Sequence, residues 1–263
     1  MSGRAVGGVG GIGVLVIVVI GFFFGIDLTP LMQGGVPVGG GTGEITEADE
    51  RAGQFVSVVL ADTEEVWVDI FDEQVGEPYR PPTLVLFSGV TDSACGGASA
   101  ATGPFYCPGD RQIYLDTDFF VTMSRRLGAG GDFAAAYVVA HEVAHHVQNL
   151  LGILGQANSI RRQVGEAESN AISVRLELQA DCYAGVWANR ADARFDSLER
   201  GDIAEAMNAA EQIGDDTLQR RQSGVVRPHT FTHGTSEQRQ RWFATGYDSG
   251  DVRACDTFGT DRL

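Results

Sequence analysis

The run His141-Glu142-Val143-Ala144-His145 constrains this chain more than any other stretch of it. On a helix, two imidazoles four residues apart lie one turn apart, point to one side and can hold one metal ion. Glu142 leaves the helix beside them, where it can reach a water on that ion. The flanks agree with a helix. Gly130-Gly131-Asp132 supplies a loop with Asp132 as N-cap, residues 133–151 carry the helical pattern, and Gly152 stands at the C-cap position.

Two histidines do not complete a site, because catalytic zinc takes three protein ligands and leaves a position for water. The chain downstream of His145 does not continue the metzincin pattern, since position 148 is Gln and position 151 is Leu. A later helical pattern over residues 172–191 offers Glu177 and Asp181 at i and i+4, in register with Val174, Ala184 and Ala188. Carboxylates in an apolar stripe are costly to bury unless each has a partner. A metal for Glu177 and the free ring N–H of a ligand histidine for Asp181 would satisfy both. The expected site is therefore one Zn²⁺ held by His141, His145 and Glu177, with Glu142 as general base and Asp181 behind a ligand. Glu166 and Glu168 are rival ligands in a polar stretch, and Arg175 or Arg190 are rival partners for the Glu177/Asp181 pair. An oxyanion needs a further donor. His233, just ahead of a helix start, is the expected catalytic donor, with Tyr106 and Tyr183 as substitutes.

Placement in the cell is read from the first residues. Ala5–Ile26 contains no charge, and as a helix it would extend roughly 33 Å, about the hydrocarbon thickness of a bilayer. Arg4 before it and Asp27 after it leave the N-terminus cytoplasmic and the rest of the chain outside. No small-x-small cleavage site follows Phe24, so the segment reads as an uncleaved anchor rather than a signal peptide. Gln33–Gly43 reads as a tether. The expected organisation is a transmembrane signal-anchor at 1–26, a flexible Gly-rich linker at 27–45 and one domain at 46–263. Four cysteines without a CxxC pair suggest two disulfides in an extracytoplasmic domain. Of the three pairings, Cys95–Cys107 would close a short loop and Cys182–Cys255 would tie the C-terminus to the centre. The 19 basic residues face 35 acidic ones, for a net charge of −16, which excludes nucleic acid as an expected partner.

The element pattern predicts an α+β domain, mainly helical. Thr46 with Asp49 has capping-box spacing, and a second helical pattern starts at Thr63. Leu84–Phe87 reads as a buried strand, and Ile113–Phe120 as a strand or a strand leading into a helix. Residues 155–170 give no strong signal. Further helices are expected over 202–213 and after Thr235, which has Gln238 three residues on.

At this point the chain resembles the neutral zinc metallopeptidase family of bacterial membrane-anchored proteins. The stretches that carry the resemblance are LVLFSGVTDSACGGASAATGPFYCPGDRQIYLD (84–116), GDFAAAYVVAHEVAHHVQNLLG (131–152), SVRLELQADCYAGVWA (173–188) and FTHGTSEQRQRWFATGYDSGD (231–251). The resemblance implies a gluzincin-like (zincin) fold, zinc on His141, His145 and Glu177, and Glu142 as base. It also implies that the strand near Ile113–Leu115 is an edge to which an extended peptide pairs. The chain departs from the family at Ala144, where the family usually has Gly. The functional expectation is a membrane-anchored extracytoplasmic zinc metallopeptidase that cleaves peptide bonds of a peptide or protein substrate with a metal-activated water. A noncatalytic, zinc-stabilised anchored binding module is the alternative. A di-iron bundle would need a second ExxH, and position 180 after Glu177 is Ala.

Overall fold

The computed structural model describes residues 47–99, 103–123, 125 and 128–263. The expected anchor, the linker and Thr46 lie outside the described residues. Among those described, no helix is long and apolar enough to cross a membrane.

The domain is mainly helical with a small sheet. Helix α1, Glu47–Ile70, runs on through a π-helical turn, Phe71–Val75, and stops at Gly76 in the left-handed region. The two helical patterns expected here are one helix, because the Thr63 hydroxyl donates to the Leu60 carbonyl inside it, 2.7 Å away, and caps nothing. Five strands follow: β1 Thr83–Phe87, β2 Val90–Ser93, β3 Gly96–Ser99, β4 Phe105–Cys107 and β5 Gln112–Asp116. β2 and β3 form an antiparallel hairpin, while the main sheet has the order β1-β5-β4, with β1 parallel and β4 antiparallel to β5. This corrects one expectation. The strand at Ile113–Leu115 lies inside β5 and is the centre of the sheet. Its continuous buried run, Ile113, Tyr114 and Leu115, marks a strand covered on both faces. The edge nearest the histidine helix belongs to β4.

After the short helix α2, Thr117–Thr122, whose N-cap Asp116 accepts from the Asp118 amide, the chain is dominated by helices. They are α3 Asp132–Leu150, α4 Ile153–Arg161, α5 Glu166–Phe195, α6 Asp202–Gln212, α7 Asp215–Ser223 and α8 Ser236–Ser249. Gly131 is the N-cap of α3 and Asp132 its first residue, one position from the expected boundary. The capping box at Thr235 and Gln238 forms as expected, each side chain bonding the other's backbone.

Helix α5 is the spine of the domain. It packs on α3 along one side and is crossed by α8 on another. The α5–α8 crossing is close because it is built on glycine: a Cβ on Gly185 would collide with the Phe243 carbonyl, and one on Gly246 with the Cys182 carbonyl. Trp67, Tyr137, Ile113, Leu115, Leu178 and Phe243 fill the core between these helices and the sheet. Two disulfides form, Cys95–Cys107 and Cys182–Cys255, leaving no free cysteine.

Candidate metal centre

The apolar content of α3 buries it almost completely, and its 3.6-residue period then sorts its polar residues onto two stripes. Tyr137, His141, His145 and Gln148 face α5. Glu142, His146 and Asn149, at the same spacing, turn toward β4.

On the first stripe the two rings meet Glu177. His141 Nε2 is 3.1 Å from Glu177 Oε2, and His145 Nε2 is 3.5 Å from Glu177 Oε1. One ligand atom from each of the three residues lies within 4.8 Å of the others. Tetrahedral zinc with bonds near 2.0–2.1 Å keeps its ligand atoms about 3.3 Å apart. Two imidazole nitrogens and a carboxylate oxygen, mostly buried and closing on one point, fit such an ion. The only other acidic or imidazole cluster of this kind among the described residues, Asp132, Asp202 and Glu205, is all carboxylate and stands in part in solvent.

Each ring is aimed by its other nitrogen. His141 Nδ1 lies 2.9 Å from Asp181 Oδ1, and His145 Nδ1 is 2.9 Å from Gln148 Oε1. Gln148 donates to the Leu176 carbonyl and to Gln179, which donates to the Cys255 carbonyl, so α5 holds both rings from behind. Glu166 and Glu168 are exposed in the first turn of α5, away from the cluster. Arg175 donates to the Thr257 and Thr260 carbonyls and Arg190 pairs with Glu73, so neither partners Glu177 or Asp181.

The cation behind Asp181 is Arg239 of α8. Its Nε and Nη2 reach the two carboxylate oxygens at 2.8 and 2.9 Å, and the Tyr137 hydroxyl donates to Oδ1 at 2.5 Å. Nothing in the sequence singled out Arg239 or Tyr137. Tyr137 was legible as a position, four residues before His141, but Arg239 meets Asp181 across 58 residues of chain. Burial opposes the charged forms throughout, yet the pairing wins. Asp181 stays below the ordinary carboxylate range because of Arg239 and His141. Glu177 is held well below it by His145 and His141. The same carboxylates raise His141 to about 10 against its burial. This pocket stabilises positive charge between the rings and Glu177, which is where a divalent ion would lie.

Glu142 behaves differently. Burial pushes its carboxyl above the ordinary range, although His145, His141 and the Tyr106 backbone N–H of β4 pull the other way. His233 lies near enough to Glu177 for their charges to interact. Asp215, at the start of α7, holds it in place. Asp215 Oδ2 accepts the backbone N–H groups of Thr232, His233 and Gly234 at 2.7, 2.7 and 3.0 Å, while Oδ1 is 3.2 Å from the ring Nδ1. The two substitutes for His233 are engaged elsewhere. Tyr183 is buried edge-on against Trp67, and the Tyr106 hydroxyl points back into α3.

A mainly helical α+β domain with a buried His-His-Glu cluster is the class of protein this geometry defines. Residues 1–258 match the family described as "Putative neutral zinc metallopeptidase", and the chain belongs to that family. It is 47% identical over 258 residues to the uncharacterized protein YpfJ of Escherichia coli K12, covering 97% of this chain and 89% of that one. It is also 47% identical over 195 residues to the uncharacterized proteins Mb2605 of Mycobacterium bovis and Rv2575 of Mycobacterium tuberculosis, covering 70% of this chain and 65% of each of those. No solved structure matches the chain.

Proposed function

We propose that this chain is a zinc-dependent peptidase, with His141, His145 and Glu177 as metal ligands and Glu142 as the catalytic base. The convergence of those three side chains beside a raised, buried carboxyl carries the reading. A zinc ion held there would supply a Lewis acid that polarises a peptide carbonyl and acidifies a water molecule. Glu142 takes the proton of the attacking water on its carboxylate and hands it to the departing amine. The Tyr106 N–H steadies that carboxylate. His233, gripped through Nδ1 by Asp215, presents Nε2–H to the carbonyl oxygen as negative charge develops there. Asp181 holds His141 as a ligand and Arg239 keeps Asp181 ionised.

The substrate is a peptide or protein in extended form, lying along the outer edge of β4 in a zincin-like arrangement. Residues 1–26 anchor the chain, 27–45 tether it, and the domain from 46 onward works outside the cytoplasmic membrane. The two disulfides support that side, since such bonds persist in oxidising compartments.

The test is zinc content and casein hydrolysis of wild type and Glu142→Gln. We expect one zinc per chain in both, with the rate of the variant reduced by about 10²-fold or more. Equal rates would remove Glu142 as base. Zinc retained without turnover in the wild type would instead favour a structural ion in a binding module, whose folding fails on chelation.

A further inference from the structure

His146, directly after the metal-binding pair of histidines, has no place in the chemistry above, yet its ring is almost fully buried. Its two nitrogens fix its state. Nε2 lies 2.6 Å from the Arg80 carbonyl, which only accepts, so Nε2 carries the proton. Nδ1 is then an acceptor, and the Tyr106 hydroxyl donates to it over 3.0 Å. Asn149, one turn further along α3, donates its Nδ2–H to the same hydroxyl oxygen, also over 3.0 Å. The Tyr106 ring packs edge-on against the imidazole. One phenol is thus gripped as donor and as acceptor by two side chains of the catalytic helix. Its residue is the middle of the three-residue strand β4, and the next residue, Cys107, is tied to Cys95.

The arrangement has a consequence for Glu142. Glu142, His146 and Asn149 form one stripe of α3, so the residues that hold the Tyr106 side chain share a face with the proposed base. We infer that His146 and Asn149 are positioning residues of the peptidase: through the Tyr106 hydroxyl they lock β4 in register on α3, and so set both the carboxylate of Glu142 and the strand edge along which the substrate lies. This rests on the peptidase reading above. A peptide that pairs with a strand edge places its scissile bond by register, and register is lost when the strand slips. Loosening the clamp should therefore change which bonds are cut as well as how fast.

The experiment uses the full chain loaded with Zn²⁺ and β-casein as substrate, with Tyr106→Phe, Asn149→Ala and their double variant. Tyr106→Phe keeps the packed ring and deletes one oxygen, so the fold stands; His146→Gln, which retains an acceptor for the hydroxyl, is the conservative partner. Zinc stoichiometry should remain at the wild-type value. We expect kcat to fall about 10-fold in each single variant and no further in the double, because both act on one hydroxyl. The cleavage map of β-casein should broaden to bonds the wild type leaves intact, and His146→Gln should keep more of the wild-type map than His146→Phe. Wild-type rates and an unchanged map in Tyr106→Phe and Asn149→Ala would overturn the clamp while leaving the peptidase reading in place. A zinc-loaded wild type that cuts nothing would overturn both.

Discussion

Asp181 shows what a single side chain costs and secures in this domain. Its carboxylate has no contact with water, and it stays ionised chiefly because Arg239, equally buried, donates to both its oxygens, with His141 beside it adding to the effect. Removing one member of such a pair strands the other as an uncompensated charge, at about 3–5 kcal/mol, whereas removing both is far milder. Arg239→Met should therefore lose stability in that range by urea unfolding, and Asp181→Asn with Arg239→Met should recover part of it. Asp215 and His233 offer a pair whose charge can be followed by pH. Burial pushes Asp215 up, but His233 and three backbone N–H groups hold it below its ordinary 3.8; burial pushes His233 down, but Asp215 holds it above its ordinary 6.5. A depressed acid contributes stability that is present above its unfolded value and lost as pH falls through the folded one. A raised histidine contributes stability that is complete below its unfolded value and lost as pH rises through the folded one. The stability gap between wild type and Asp215→Asn should be widest between about pH 4 and 6.5 and narrow on both sides, measured by urea unfolding across that range. The His141, His145 and Glu177 cluster and the neighbouring Asp181 were legible in the sequence because His141 with His145, and Glu177 with Asp181, each stand one turn apart on one helix. Arg239, Gln148 and Asp215 were not, because a buried polar residue announces itself only through a partner that the fold supplies.

Among the elements, sequence reading succeeded where an apolar stripe or a cap stood out and failed where neither did. The helices at 132–150 and 236–249 follow from their hydrophobic period and their caps. The first turns of α5 and most of α4 fall in a stretch too polar to show a stripe, and α7, DDTLQRRQS, has one large apolar residue in nine. Strand order was equally invisible. Ile113–Leu115 reads as a strand from composition, but its central place depends on β1 and β4 finding it from opposite sides. The α5–α8 crossing depends on Gly185 and Gly246, which in the sequence are only helix-weakening residues. Gly246→Ala would drive a methyl group into the Cys182 carbonyl, an obstacle of rigid backbone that no rotamer relieves. Overpacking of this kind costs about 1–3 kcal/mol or more. Since α8 carries Arg239, the variant should also weaken zinc binding, whereas Gly155→Ala, where the added Cβ meets open space, should leave zinc affinity unchanged. Thermal melts and competition for zinc with a chelator would read the two effects separately.

On the scale of the whole molecule, the two disulfides divide the labour of holding the site together. Cys182–Cys255 spans 73 residues and joins the middle of α5 to the C-terminal segment, beside the Gln179 that orients the His145 support through the Cys255 carbonyl. Cys95–Cys107 spans only 12 and pins the β2–β3 hairpin to the edge strand β4. In the loop-entropy account a cross-link stabilises by restricting the unfolded chain, by about 4 kcal/mol for the longer loop and about 3 for the shorter. Their consequences for the site differ more than those figures. The long bridge braces the back of the His-His-Glu cluster, while the short one braces β4, the edge strand beside α3. Replacing Cys182 and Cys255 together by alanine should lower stability by about 4 kcal/mol and weaken zinc binding along with it. Replacing Cys95 and Cys107 together should cost somewhat less stability, keep zinc at its wild-type affinity and raise KM for an extended peptide. Denaturant melts, a zinc titration and steady-state kinetics on the two double variants decide this. Loss of zinc from the Cys95/Cys107 variant, or its retention in the other at full affinity, would break the assignment of each bridge to its half of the site.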